Sequence, residues 1–286
     1  MFEKPLIITA AINGGGKPRS RSPAQPILPT AIVCEAIDAW RAGAAIIHFH
    51  ARGDDGHTTM DPDAHRRIIE QIRASGCDAI MNVSCGDDGG RAGHDVRIAM
   101  IGCGAEMVSF TASSYNSGAR LYDNRPEFLH TFCGEMRRVG VKPDIEVLDI
   151  GWISRLDAMI ASGALDSPYH CVLGFGLSGG MPPEPALCRM AVDRLPRGAV
   201  WTAACITDRH SQYLSLMLAA FAAGGHVRTG IEDCPWLSEG VPGPSNAALV
   251  EQWVATATAW RRPVASPAQA RELLGLNRHD ALHLNG

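Results

Sequence analysis

The chain has 286 residues, 46% of them hydrophobic, a length that fits one large α/β barrel or two smaller domains and is ample for a buried core. Its formal net charge is −4 and its basic residues are scattered, which excludes the electrostatic footprint of a nucleic-acid binder or of a protein drawn to acidic membranes. The opening apolar run, MFEKPLIITAAIN, is short and lacks a small-residue cleavage site, and nothing further on approaches a membrane span, so a cytoplasmic protein with a small-molecule partner is expected. The nine cysteines are odd in number and show no CxxC spacing, so they read as small buried hydrophobes in a reducing compartment. Cys85 and Cys234 stand out only because each falls near the end of an expected strand.

Short apolar runs alternate with amphipathic segments along the whole chain. Strands are expected over 5–13, 44–51, 79–85, 106–112, 144–150, 169–175, 199–206 and 226–233, each followed by a helix. The first helix, TAIVCEAIDAWRAG, has Thr30 as its expected N-cap and Gly43 as its stop; the helix after the last strand is SNAALVEQWVATATAW. Eight such units in one domain, 1–286, predict a TIM (β/α)8 barrel with its active site at the carboxyl ends of the strands. An open doubly wound sheet is the alternative; polar residues at the ends of strands one, two, three, four and eight suit a ring of converging strands better. The glycine- and proline-rich loop 14–29, with Lys17, Arg19 and Arg21, follows the first strand and so belongs to the active-site face.

The second strand, AAIIHFHA, carries two histidines two residues apart. Side chains alternate along a strand, so with Phe49 under the helices His48 and His50 both face the barrel axis. They either hydrogen-bond to core neighbours or bind a metal, and the second reading needs a third ligand. The same parity on the last strand, HVRTGIED, puts His226, Arg228, Gly230 and Glu232 inward. His48, His50 and Glu232 then form a two-histidine, one-carboxylate set suited to catalytic zinc, or to ferrous iron, unless Glu232 is only an ion-pair partner of Arg228. Asp233 is a candidate general base, and Arg228, facing a barrel interior, calls for an anion. Asn82, Ser84, Ser109 and Thr111 face inward near the ends of strands three and four and are candidates for binding a substrate carboxylate. The stretch GFGLSG (174–179) matches a dinucleotide-binding fingerprint, but Gly180, Pro182 and Pro183 stand where its helix should begin, so that reading is set aside.

The stretches ITAAINGG, AGAAIIHFHAR, PDIEVLDIG, SGGMP, GGHVRTGIED and RPVASPAQARELL together resemble the β-keto acid cleavage enzyme family, whose best-known activity is 3-keto-5-aminohexanoate cleavage. The likeness runs nearly end to end, and the pairing of HxHxR with RxGxED is its most specific part. The resemblance implies a homo-oligomeric TIM barrel, commonly a tetramer, with zinc at His48, His50 and Glu232, and with Ser84, Arg228 and Asp233 assisting catalysis. It implies that a β-keto acid and acetyl-CoA give acetoacetate and the CoA thioester of the remaining acyl group. The aminohexanoate enzyme has a glutamate where this chain has Gly16, so a cationic substrate is disfavoured, and Asn13 and Gly16 leave room for a neutral or anionic side chain. Competing readings are a metal-dependent hydrolase, an aldolase or lyase that needs no acetyl-CoA, and a non-catalytic binding protein. Arg52, after the histidine pair, either orients a carboxylate or reaches toward substrate.

Overall fold

The structure is a computed structural model that describes residues 2–16, 22–86, 92–117 and 120–276. Eight parallel strands close into a barrel: β1 (Ile8–Ala11), β2 (Ile46–Phe49), β3 (Ile80–Ser84), β4 (Met107–Thr111), β5 (Lys142–Val147), β6 (Tyr169–Phe175), β7 (Ala199–Cys205) and β8 (His226–Thr229), with β8 pairing back onto β1. Around them lie α1 (Pro29–Arg41), α2 (Pro62–Ala74), α3 (His94–Ala99), α4 (Pro126–Val139), α5 (Ile153–Ala161), α6 (Pro185–Val192), α7 (His210–Ala222) and α8 (Asn246–Ala259), with a further helix, α9 (Pro267–Leu274), after them. The expected TIM barrel is therefore the observed fold. No helix among the described residues is long and apolar enough to cross a membrane.

Local chemistry sets the helix ends. Proline, whose missing N–H costs nothing in a first turn, opens α1, α2, α4, α6 and α9. Asp61 caps α2, Ser245 caps α8, and Ser266 with Gln269 forms a capping box on α9. Thr30 is not a cap as expected: Pro29 takes the first helical position, Leu28 stands in the N-cap place, and Thr30 lies inside the helix. Gly43, at φ +119°, does lie just past the end of α1.

The strands alternate as their sequences require. Ile8, Ala10, Ile47, Phe49, Met81, Val83, Val108, Phe110, Ile145, Val147, Cys171 and Leu173 belong to the outer core, under the helices. Inside the barrel, Ile7, Ile46, Ile80, Met107 and Val200 form an apolar floor closed from below by Ala270 and Leu274 of α9. Arg271 of α9 reaches Glu106 in a two-pronged pair that Arg73 of α2 also joins, fixing that floor to the barrel rim. Above the floor every strand contributes a side chain to a buried polar layer: Thr9, His48, Asn82, Ser109, Asp144, His170, Thr202 and Arg228.

Several strands are shorter than expected, and at β8 this matters. β8 ends at Thr229 rather than 233, because Gly230 takes φ +138° and the chain turns, with the N–H groups of Asp233 and Cys234 both donating to the Gly230 carbonyl. A Cβ at Gly230 would stand 2.1 Å from the Ala11 carbonyl oxygen, so only glycine lets the chain leave β8 so close to β1. Gly230→Ala should cost roughly 3 kcal/mol or more through combined strain and clash, whereas Gly104→Ala, at φ +90° with nothing within 4 Å of the new Cβ, should cost about 1 kcal/mol. Urea denaturation of the two variants checks the contrast; equal losses would show that backbone conformation alone, not the approach to Ala11, fixes this glycine.

Candidate functional site

His48 lies within β2, and its Cα pairs with Ala11 on one side and Asn82 on the other. His50 is one residue past the strand and is held by Asn13, whose side-chain oxygen accepts from the His50 N–H at 2.9 Å while its amide donates to the His50 carbonyl at 2.8 Å. Glu232 arrives from the turn after β8, its N–H donating to the Ala11 carbonyl at 3.2 Å. The parity expected of a strand running to 233 is therefore not what brings Glu232 inward; the Gly230 turn is. Gly14, at φ +65°, makes room for it, since a Cβ there would come 2.8 Å from the Glu232 Cγ. The result is that His48 Nε2 lies 3.7 Å and His50 Nε2 3.9 Å from the Glu232 carboxylate oxygens, with one ligand atom from each residue within 4.8 Å of the others.

The electrostatics suit a cation at that point. Burial, against the pull of Glu232 and with help from Arg228 and His50, lowers the His48 pKa to about 3, so the ring is neutral and has a lone pair to offer. Burial opposes the charge on Glu232, but Arg228 and the two imidazoles outweigh it and hold the carboxylate ionised, well below its usual range. Glu232 Oε2 has no hydrogen-bond partner among the described residues, which is the condition of an oxygen waiting for a ligand. Two imidazoles and a carboxylate with one orphaned oxygen are the donor set of a divalent metal, so the residues fit the group.

Arg228 is buried at the centre of the carboxylates. It donates to Glu232 and, at 3.0 Å, to Asp233, and its other arm lies 3.6 Å from Glu146. Glu146, on β5 at the barrel mouth, was not among the residues singled out from sequence. Burial raises its pKa to about 7 against the opposing pull of Arg228, with Asp144, Glu232 and Asp233 adding to the rise. Strand parity finds it: with Ile145 and Val147 under the helices, Asp144 and Glu146 must face inward.

The remaining expected residues divide. Ser84 stays at the mouth and its hydroxyl accepts from the Gly86 N–H at 2.9 Å. Ser109 is buried in the polar layer with its hydroxyl unpartnered among the described residues. Thr111 donates to the Ser113 carbonyl and receives the Asn124 amide. Asn13 holds the peptide groups of His50, and Asn82 donates to the Asp144 carboxylate. Gly16, with open space around it, offers its carbonyl to Arg52. The Arg52 guanidinium clamps the carbonyls of Asn13, Gly14, Gly16 and Gly56, tying the loop after β1 to the histidine segment. Lys17, Arg19 and Arg21 lie outside the described residues. The glycines after β6 serve packing: a Cβ at Gly176 would stand 2.2 Å from the Ile206 carbonyl oxygen, and one at Gly180 2.9 Å from that of Leu148. Cys85 is buried, and burial pushes its thiol pKa far up, as for a structural rather than a reactive thiol.

A model of the β-keto acid cleavage enzymes matches residues 5–276. A 3-oxoadipate:acetyl-CoA acetyltransferase of Cupriavidus necator is 36% identical over 276 residues, 96% of this chain and 95% of its own. A 3-keto-5-aminohexanoate cleavage enzyme of Acetoanaerobium sticklandii is 33% identical, over 96% of this chain and 99% of its own. Among solved structures, the apo form of ObcA superposes with a TM-score of 0.76 at 20% identity, over 90% of this chain and 66% of the larger one, a likeness of fold.

His65 of α2 supports the site from behind and makes it acid-sensitive. Its Nε2 accepts from the N–H of Ala51, next to His50, and its Nδ1 meets the Asp61 carbonyl at 2.9 Å. Burial lowers its pKa to about 4, against the Asp61 hydrogen bond, so the folded state keeps the ring neutral while the unfolded chain protonates it near 6.5. The stability this represents is whole above 6.5 and is lost as pH falls through 4, at about 1.4 kcal/mol per pH unit. Denaturation of metal-free protein between pH 6.5 and 4 should show that slope shrink by about one proton in His65→Gln; an unchanged slope refutes the assignment.

Proposed function

The chain belongs to the β-keto acid cleavage enzyme family, and on that premise we propose that it condenses a β-keto acid with acetyl-CoA and cleaves the product to acetoacetate and a new acyl-CoA. The observation that carries the proposal is the convergence of three metal-ligand side chains beside a buried arginine that holds a second carboxylate, Asp233. His48, His50 and Glu232 are the residues to hold zinc, which when bound supplies Lewis acidity toward the oxygens of the keto acid.

The protein's own groups carry the rest. Asp233, oriented by Arg228, takes a proton from C2 of the keto acid. The C2 carbanion attacks the acetyl carbonyl of acetyl-CoA, and the C–S bond breaks to release the CoA thiolate. That thiolate adds to the other carbonyl, the original keto group, and the bond from it to C2 breaks, leaving the acyl-CoA and the acetoacetate carbanion. A proton returns to that carbanion; Glu146, beside Arg228 at the mouth, is the second group placed to handle protons. Arg228 offers its cationic N–H groups to the charge that forms on oxygen. Ser84, at the mouth on β3, is a further polar contact for the substrate.

Gly16 brings no carboxylate to the mouth, which supports a substrate with a neutral or anionic side chain. The Cupriavidus necator relative, named for 3-oxoadipate, a dicarboxylate, points the same way. We extend the reading to a homotetramer in the cytoplasm; the family resemblance supports the first, and nine free cysteines support the second.

With a panel of β-keto acids, acetoacetate should form only when acetyl-CoA is supplied; cleavage without it would instead mark a lyase. Asp233→Asn should lower kcat by about 10³-fold while zinc content stays at the wild-type level. His48→Ala should lose both zinc and turnover, and full zinc retention in that variant overturns the ligand assignment.

A further inference from the structure

We propose that Asn82 is a positioning residue for the metal centre: its side-chain oxygen receives the Nδ1–H of His48, and a buried chain through Asp144, His170 and Thr202 holds the amide in the orientation that allows it. The inference rests on reading His48, His50 and Glu232 as metal ligands, and it moves Asn82 from the substrate to the support of the site.

His48 and Asn82 are register partners on adjacent parallel strands, both facing the barrel interior, where neighbouring strands run about 4.8 Å apart. The His48 nitrogen that faces Glu232 is Nε2. A neutral imidazole that offers its lone pair from Nε2 carries its proton on Nδ1, so Nδ1 must be a donor. That atom is buried and has no partner among the described residues. The same is true of the side-chain oxygen of Asn82, its register partner. Native interiors rarely leave a buried donor and a buried acceptor both unsatisfied on paired positions, and pairing them with each other would satisfy both.

The far side of the amide explains why it cannot turn round. Asn82 Nδ2 donates to Asp144 Oδ2, and flipping the amide would set its oxygen against that carboxylate. Asp144 Oδ1 lies 2.6 Å from His170 Nδ1, and His170 Nε2 lies 3.0 Å from the Thr202 hydroxyl. The chain thus spans β3, β5, β6 and β7 at the level of the polar layer, and all four members are at most 2% exposed. Four strands hold one amide oxygen toward the ring of a ligand on a fifth. A histidine that binds metal ordinarily gives its other N–H to such an acceptor, which fixes the tautomer and raises ligand basicity.

The test is zinc affinity, measured by competition with a chromogenic chelator and independent of turnover. Asn82→Leu, close in size but without an acceptor, should bind zinc 10- to 100-fold more weakly than the wild-type protein, with the thermal transition of the zinc-free proteins reporting that the barrel is intact. Equal affinity in Asn82→Leu and wild type, with affinity still lost in His48→Ala, overturns the role of Asn82 and leaves the ligand set standing. If His48→Ala binds zinc as tightly as wild type, the ligand set itself falls and this inference with it. A measurement on the unaltered protein guards against a variant that fails to fold: in zinc-loaded protein with ¹⁵N-labelled histidine, the His48 ring should show a slowly exchanging proton on Nδ1. A rapidly exchanging Nδ1 proton, or a proton on Nε2, overturns the proposal.

Discussion

Everything at the mouth of this barrel is arranged around one buried guanidinium. Arg228 is 4% exposed and faces three carboxylates, Glu146 from β5 and Glu232 and Asp233 from the turn after β8. A buried cation left without partners costs several kcal/mol, and so does a buried carboxylate, so each holds the others in place. One positive charge among three negative ones is nevertheless a deficit. Its local sign is the pKa of Glu146, raised to about 7 by burial and by the neighbouring carboxylates despite Arg228. A divalent cation held by His48, His50 and Glu232 would remove that deficit, so the electrostatics and the side-chain geometry agree on the place.

The apolar floor makes this arrangement possible. Ile7, Ile46, Ile80, Met107 and Val200 seal the barrel below the polar layer, and the helices seal it from outside. The polar side chains therefore have water on one side only, the mouth, and must satisfy one another everywhere else. Asn82, Asp144, His170 and Thr202 stand in contact along a line that does part of this: Asn82 donates to Asp144, Asp144 lies 2.6 Å from His170, and His170 lies 3.0 Å from the Thr202 hydroxyl. Such a layer is expensive in desolvation, and the large outer core of Phe, Ile, Val and Met residues offsets it.

Periodicity made the barrel legible, because eight apolar runs separated by amphipathic helices admit few folds. It also made His48 and His50 legible, since parity needs only that Phe49 be outside. Glu232 was reached by a faulty step: parity was carried through a strand to 233, whereas the strand stops at Thr229 and Gly230 turns the chain. The answer survived because that turn delivers the side chain to the same face. Asp144 and Glu146 are legible by the same parity, since Ile145 and Val147 lie under the helices and leave them the inward positions. Asn13 and Arg52 were not legible at all. Their partners are backbone atoms of loops, and no pattern of residue types records where a carbonyl will point.

That last group shows how the site divides between rigid and adjustable parts. His48 sits inside a strand, with its neighbours fixed by the barrel ladder. His50 and Glu232 both lie just past strand ends, and their positions depend on backbone contacts: Asn13 on the His50 peptide groups, the Ala11 carbonyl on Glu232, and the Arg52 clamp on the loop that passes between them. The end of β1 and the loop after it therefore help place two of the three candidate ligands. A change there alters what fits at Gly16 and, through Asn13 and Gly14, the placement of the ligands as well. Arg52 limits that coupling. By binding four carbonyls with one rigid planar group it holds the Asn13–Gly16 backbone fixed while leaving the side chains along it open to vary. A family that acts on keto acids with different side chains needs that separation, and here a single buried arginine supplies it.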